Sequence, residues 1–126
     1  MSLLGTLGLW SLALGAVSGW LVAATVDQPH LLTKVGVKHG GRLRQTHLDW
    51  IMMGLILLVV DVAVADIPGW ITALIAFGTV VNPLLFLPLA FDKDASDRPA
   101  YRAVTFVSFA SLSVGLPALA LHATVF

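Results

Sequence analysis

Four side chains with the means to do chemistry lie inside two long apolar stretches of the sequence. His47, Asp49 and Asp61 fall in the first of these stretches, and Asn82 falls in the second. Ionisable groups are costly inside a membrane, and where they occur they usually mark a functional site. A neutral imidazole is a common metal ligand, whereas a carboxylate or an amide forms hydrogen bonds that orient polar ligands. These four residues are therefore the candidate site.

The spacing of these residues predicts different faces of one helix. At 100° per residue, His47, Gly54 and Asp61 share a face, whereas Asp49 lies with Met53 on another. At 1.5 Å per residue, His47 and Asp61 are about 21 Å apart along the helix axis. A direct bond between the imidazole and the Asp61 carboxylate is therefore excluded.

Each candidate also has an explanation that involves no function. His47, at the start of the predicted helix, could bond only to water or lipid headgroups at the membrane interface. Asp49 could be a first-turn acid, which the helix dipole favours, and Asp61 could be a buried acid bonded to a neighbouring helix. Asn82 could bond the backbone carbonyls that a kink at Pro83 leaves free. The sequence leaves these explanations open beside a functional site.

The four histidines differ in where they lie along the predicted helices. A His at a helix end, such as His47, is able to ligate a haem iron. His122 lies near the opposite end of its helix, so a haem held by both is not expected. His30 and His39 belong to a basic loop, where exposure to solvent is expected. A pocket between His47 and Asn82 would have room for a flat cofactor and a small ligand.

The composition indicates which kind of structural element holds these residues in place. The chain has 126 residues, of which 58% are hydrophobic and 11% charged, and its mean hydropathy is +0.93. A soluble domain carries roughly 25% charged residues, and a bilayer core of about 30 Å requires roughly 20 apolar residues per helix. The sequence therefore predicts an all-α protein, a single integral membrane bundle of four transmembrane helices over 1–126. The predicted helices are 3–26, 47–67, 70–91 and 103–126.

The charges predict an orientation and exclude some partners. All seven Lys and Arg residues lie in loops 27–46 and 92–102, and basic loops stay in the cytoplasm. We expect a multi-pass protein of a bacterial-type inner (plasma) membrane with both basic loops in the cytoplasm. The formal net charge is zero, so no nucleic-acid partner is expected. Without cysteine, thiolate metal sites and disulfides are excluded.

Small residues and prolines indicate how the helices pack. A stripe of small residues recurs every four positions in the first helix, where it allows close helix contact in lipid; it consists of Ser11, Gly15, Gly19 and Ala23. The stripe could pack against another helix of the chain or against a second copy, and we expect a homo-oligomer, for example a trimer. Pro83 and Pro88 predict kinks in the third helix.

A family resemblance rests on two short motifs. The run Thr46-His-Leu-Asp-Trp-Ile-Met-Met-Gly54 resembles the Ala-His-Leu-Glu-Gly-x-Met-Asn-Gly run of the hydroxylaminobenzene mutases, which are small four-helix membrane enzymes. It is similar, more loosely, to the run that opens the second helix of the styrene oxide isomerases, which isomerise aryl epoxides with a haem b. Asn82 and Phe86 look like the Asn and aromatic pair in the third helix of those isomerases.

The resemblance implies roles for individual residues. It makes His47 the axial ligand of a haem b and Asn82 a contact to the substrate oxygen, and it puts Asp49 in the place of the mutases' Glu. The remaining residues expected beside the cofactor are Trp50, Gly54 and Phe86. Two departures, Met53 for Asn and Phe86 for Tyr, each remove a hydrogen-bonding group.

The function that follows is a haem-dependent isomerase or mutase of the membrane. Its substrate would be a small hydrophobic molecule, an aryl epoxide opened by a 1,2-shift to a carbonyl, or alternatively an N-aryl hydroxylamine. Two other classes stay open: a small transporter or proton-coupled carrier that uses Asp61, and a structural subunit without chemistry. An absorption spectrum of the purified protein distinguishes the haem enzyme from both.

Overall fold

The computed structural model describes residues 2–125, and over these residues its regular secondary structure is helical, with no strand. Four spans are long and apolar enough to cross a membrane, which confirms the predicted all-α bundle. The helices are α1 (Leu3–Asp27), α2 (Pro29–Lys34), α3 (Gly40–Ala63), α4 (Gly69–Leu84), α5 (Phe86–Phe91) and α6 (Pro99–Thr124), with a 3-10 turn at Lys93–Asp97. We call the end formed by 28–46 and 92–102 the basic end, and the end at 64–68 the turn end.

Several helices begin or end away from their predicted positions. The second long helix was predicted over 47–67, but α3 begins at Gly40 and ends at Ala63. Hydropathy detects only the part of a helix inside the membrane, and the polar first turns of α3 extend beyond it. For the same reason α6 begins at Pro99 rather than at 103, and residue 126 lies outside the described residues. His47 consequently lies two turns inside α3 instead of at its start.

The third span is interrupted at Leu85, between its two prolines. Pro83 lies inside α4 and is buried, whereas Pro88 lies inside α5. A proline has no N–H, so Pro88 cannot donate to the carbonyl of Leu84 four residues earlier. Tyr101 Oη of α6 donates to the carbonyl oxygen of Leu85 at 2.7 Å. The regular helix is therefore interrupted where the kink was predicted, and Tyr101 of α6 bonds the carbonyl at that point.

Glycines set the spacing of two antiparallel helix pairs. Along α1, Gly15 faces Ile51 and Gly19 faces His47 of α3. Between α4 and α6, Gly78 faces the side chain of Leu112. Because lipid supplies no hydrophobic force between helices, close backbone approach of this kind is what stabilises them. The small-residue stripe of α1 is thus used inside the chain at Gly15 and Gly19.

Two clusters of buried apolar side chains lie near opposite ends of the bundle. The cluster toward the turn end joins all four long helices and consists of Leu4, Leu57, Val60, Ile71, Ile75 and Leu119. The cluster at the basic end consists of Leu32, Val37, Leu43 and Ala90. Large side chains on the outer faces stay exposed, among them Trp20 at 81% and Phe106 at 74%. Such a surface fits a bilayer, where apolar side chains gain nothing by turning inward.

One residue of the short turn between α3 and α4 has a left-handed backbone. Asp66 has a φ of 55°, a conformation that costs side-chain-bearing residues roughly 1–2 kcal/mol, although Asp tolerates it better than most. We expect Asp66→Val to lower the free energy of unfolding by about 1 kcal/mol, whereas Asp66→Gly keeps or raises it. Thermal unfolding in a mild detergent measures both, and equal stability of the two variants would contradict the assigned backbone.

Candidate functional site

The His47 ring is held by the backbone of α1. Its Nδ1 lies 2.6 Å from the carbonyl oxygen of Gly15 and 3.2 Å from Ser18 Oγ. A carbonyl oxygen only accepts hydrogen bonds, so Nδ1 must carry the proton and donate it. In the neutral ring, Nε2 is then left with a free lone pair. Ser18 Oγ donates to the same Gly15 oxygen at 3.0 Å, which fixes the acceptor in place.

Gly19 leaves room for the ring. A Cβ at this position would lie 3.3 Å from His47 Cε1 and 4.0 Å from Nε2. The half-buried imidazole therefore packs against a residue of α1 that has no side chain to displace it. Sequence reasoning singled out His47 and the glycine stripe separately. What it missed was Ser18 and the Gly15 carbonyl, because nothing in the sequence shows which helix lies beside the ring.

Asp49 and Asn82 form a polar pair between α3 and α4. Asn82 Nδ2 donates to Asp49 Oδ2 at 2.6 Å, and both side chains are half-buried. Each residue lies nine positions from the basic end of its span, at Gly40 or Phe91 respectively, which is about 14 Å along the axis. The Asn82 amide thus bonds a carboxylate on another helix. The sequence also allowed a bond from Asn82 to backbone carbonyls freed by a kink, but the amide donates to Asp49 instead.

His47 and Asn82 do not face each other within one chain. His47 bonds α1, whereas Asp49, two residues later and about 200° around the helix, bonds Asn82 of α4. The helix α3 lies between the two groups. The expected pocket between His47 and Asn82 is therefore corrected to two separate sites on opposite sides of α3.

The other expected cofactor residues have different surroundings. Trp50 is half-buried on the α1 side of α3, with its Cβ near Gly15. Gly54 is buried against α1, and a Cβ there would lie 2.9 Å from the Gly8 carbonyl oxygen. Its missing side chain therefore makes room for α1, which is a packing role. Phe86 is half-buried as the first residue of α5, directly after the helix break.

Asp61 and His122 both lie toward the turn end, away from these groups. Asp61 is two residues from the end of α3 and accepts a hydrogen bond from Ser2 Oγ, the N-cap of α1. Its carboxylate borders a half-open cavity of about 320 Å³ that Asp66 also lines. His122 lies beside Trp70 at the same end. Asp49 thus lies farther from an end of α3 than Asp61 does, because the helix begins and ends earlier than the sequence predicted.

Thr46 is a polar residue that sequence reasoning passed over. Its side chain is 1% exposed, and its hydroxyl oxygen has no hydrogen-bond partner among the described residues. Buried polar groups are nearly always satisfied, so an exception needs an explanation. The position of Thr46 directly before His47 in the motif could have marked it as a candidate residue, but the burial of its side chain depends on the tertiary structure.

Among residues 2–125, no group of three or more His or acidic side chains is placed to hold a metal ion. A haem needs only one protein ligand, and His47 offers the nitrogen for it. No protein-family model matches the chain, and neither the curated proteins nor the solved structures contain a match.

Proposed function

We propose that this protein is a membrane-embedded isomerase or mutase that holds a haem b through Nε2 of His47. The observation that carries the proposal is the hydrogen bond from His47 Nδ1 to the Gly15 carbonyl. Metal-ligating histidines nearly always donate their other ring N–H to a carbonyl, a carboxylate or a water, which fixes the ring and raises the basicity of the ligand nitrogen. In this chain the acceptor for the His47 ring N–H is the Gly15 carbonyl of α1.

The donor set fits the cofactor. A single neutral imidazole with a free lone pair would be sufficient to hold a haem iron. When bound, a ferric haem with one protein ligand supplies an open Lewis-acid face for the oxygen of an epoxide or a hydroxylamine. The protein contributes an apolar, membrane-embedded setting that excludes water from a reactive intermediate.

The Asp49–Asn82 pair is the proposed polar end of the substrate site. Asn82 orients the substrate oxygen, and Asp49 fixes the amide through their 2.6 Å hydrogen bond. Because His47 lies on the other side of α3, a substrate that meets both groups requires a second copy of the chain. The proposal therefore includes a homo-oligomer, in a bacterial-type inner membrane with the basic end in the cytoplasm.

A carrier that uses Asp61 is less well supported. A switching acid works by exposing itself in turn to the two sides of a membrane, which places it deep in the bilayer. Asp61 lies two residues from the end of α3, where Ser2 bonds it.

The test is an absorption spectrum followed by two assays. The full chain is produced in haem-replete cells and purified in a mild detergent. We expect a Soret band, and turnover of styrene oxide to phenylacetaldehyde or of N-phenylhydroxylamine to an aminophenol. A colourless protein would contradict the haem proposal. A coloured protein that converts neither compound would retain the cofactor but contradict the proposed substrate class.

A further inference from the structure

The unpartnered hydroxyl of Thr46 stands out among the buried hydroxyls of the bundle. Thr79 donates to the Ile75 carbonyl at 2.7 Å, and Ser111 donates to the Val107 carbonyl at 2.7 Å. Both residues thus satisfy their hydroxyls within their own helix. Thr46 is equally buried but makes no such bond. Its hydroxyl is therefore free to bond something else.

Its position on α3 places Thr46 beside the Asp49–Asn82 pair. Residues three apart on a helix are neighbours, with Cβ atoms about 5–6 Å from each other. Thr46 and Asp49 are related in this way, whereas His47 lies on the side that bonds α1. Thr46, Asp49 and Asn82 are therefore three polar side chains grouped on one side of α3.

The group has more acceptors than donors left to use. The bond between Asn82 and Asp49 occupies one amide N–H and one carboxylate oxygen. Asp49 Oδ1 and Asn82 Oδ1 are then available as acceptors, the second Asn82 N–H is available as a donor, and the Thr46 oxygen both accepts and donates. A ligand that only accepts would leave the free carboxylate oxygen unpaired on binding, which is costly away from water.

We propose that Thr46, Asp49 and Asn82 form a binding site for a small apolar ligand that carries an O–H or N–H donor. The donor bonds Asp49 Oδ1, and the ligand's heteroatom accepts from the Thr46 hydroxyl. The inference rests on the proposed function in taking a small apolar substrate as the ligand, but it does not involve the haem. Of the two proposed substrate types, only the hydroxylamine carries such a donor.

The test compares two isomers, 2-phenylethanol and benzyl methyl ether, of which only the alcohol donates a hydrogen bond. Binding is measured on the full chain in lipid nanodiscs by saturation-transfer NMR, with empty nanodiscs as the blank. We expect the wild type to bind the alcohol about tenfold more tightly than the ether, since one unpaired polar group costs about that factor. Equal binding of the two isomers, or binding of neither, would overturn the proposal.

Variants test the assignment of Thr46. Thr46→Val keeps the shape and removes the hydroxyl from which the oxygen of either isomer accepts, so it should weaken binding of both isomers about three- to tenfold. Thr46→Ser should retain the selectivity, and Thr79→Val, the matched buried control, should change neither ligand. If Thr46→Val binds the alcohol as tightly as the wild type does, or Thr79→Val weakens its binding equally, the assignment of Thr46 is wrong. An absorption spectrum of each sample reports separately whether haem is bound. Failure of this ligand site is therefore distinguishable from failure of the haem proposal.

Discussion

Replacing His47 by alanine is expected to remove the haem and, with it, the Soret band and all turnover. Nε2 of His47 is the proposed ligand atom, oriented by the 2.6 Å bond from Nδ1 to the Gly15 carbonyl. Without this nitrogen the haem would lose the proposed bond to the protein, so the loss should be complete rather than partial. The Soret absorbance of the purified wild-type and His47→Ala proteins, normalised to protein concentration, measures this loss.

His122→Ala is the matched control for this prediction. His122 lies beside Trp70 at the turn end, so its removal should leave the Soret band unchanged. A His47→Ala protein that still carries the haem would assign the ligand to another residue. Loss of the Soret band in both variants would indicate that the substitutions disrupt the fold rather than remove a haem ligand.

A methyl group at Gly54 is expected to destabilise the pairing of α1 with α3. The Cβ of alanine would lie 2.9 Å from the Gly8 carbonyl oxygen and 2.9 Å from Leu12 Cγ. The Gly8 oxygen is backbone and cannot rotate away, so the two helices must separate. Forcing extra atoms into a packed contact costs about 1–3 kcal/mol. Thermal unfolding in a mild detergent should show a lowered midpoint for Gly54→Ala.

Gly41→Ala provides the control on the same helix. Nothing lies within 4 Å of a Cβ at Gly41, and alanine is a better helix former than glycine. We therefore expect this variant to be as stable as the wild type or slightly more stable. If Gly54→Ala unfolds at the same temperature as Gly41→Ala, the close approach of α1 and α3 is not as described.

Much of the architecture could be predicted because it depends on local properties of the chain. Apolar runs of about 20 residues identified four spans, and all seven Lys and Arg residues marked one end of the bundle. Helical periodicity also placed Gly54 and His47 on one face of α3, and both contact α1. The side of the membrane on which the basic end lies stays a prediction.

The boundaries of α3 were not predicted, and this error changed which of two acids lies near a helix end. Hydropathy does not register the polar turns before His47, although Arg42 and Gln45 continue the helix there. Because α3 begins at Gly40 and ends at Ala63, Asp49 lies nine residues from the nearer end of the helix and Asp61 only two.

Only the tertiary structure decided what the polar groups bond. The sequence by itself determined that His47, Asp49 and Asn82 lie within membrane-spanning helices. Whether His47 bonds the backbone of α1 and Asp49 bonds Asn82 depends on which helix lies on each side of α3. The same is true of Thr46, whose buried hydroxyl remains without a partner. Periodicity fixes the direction of a side chain on its own helix, but a hydrogen bond also requires the partner helix at a set distance and register.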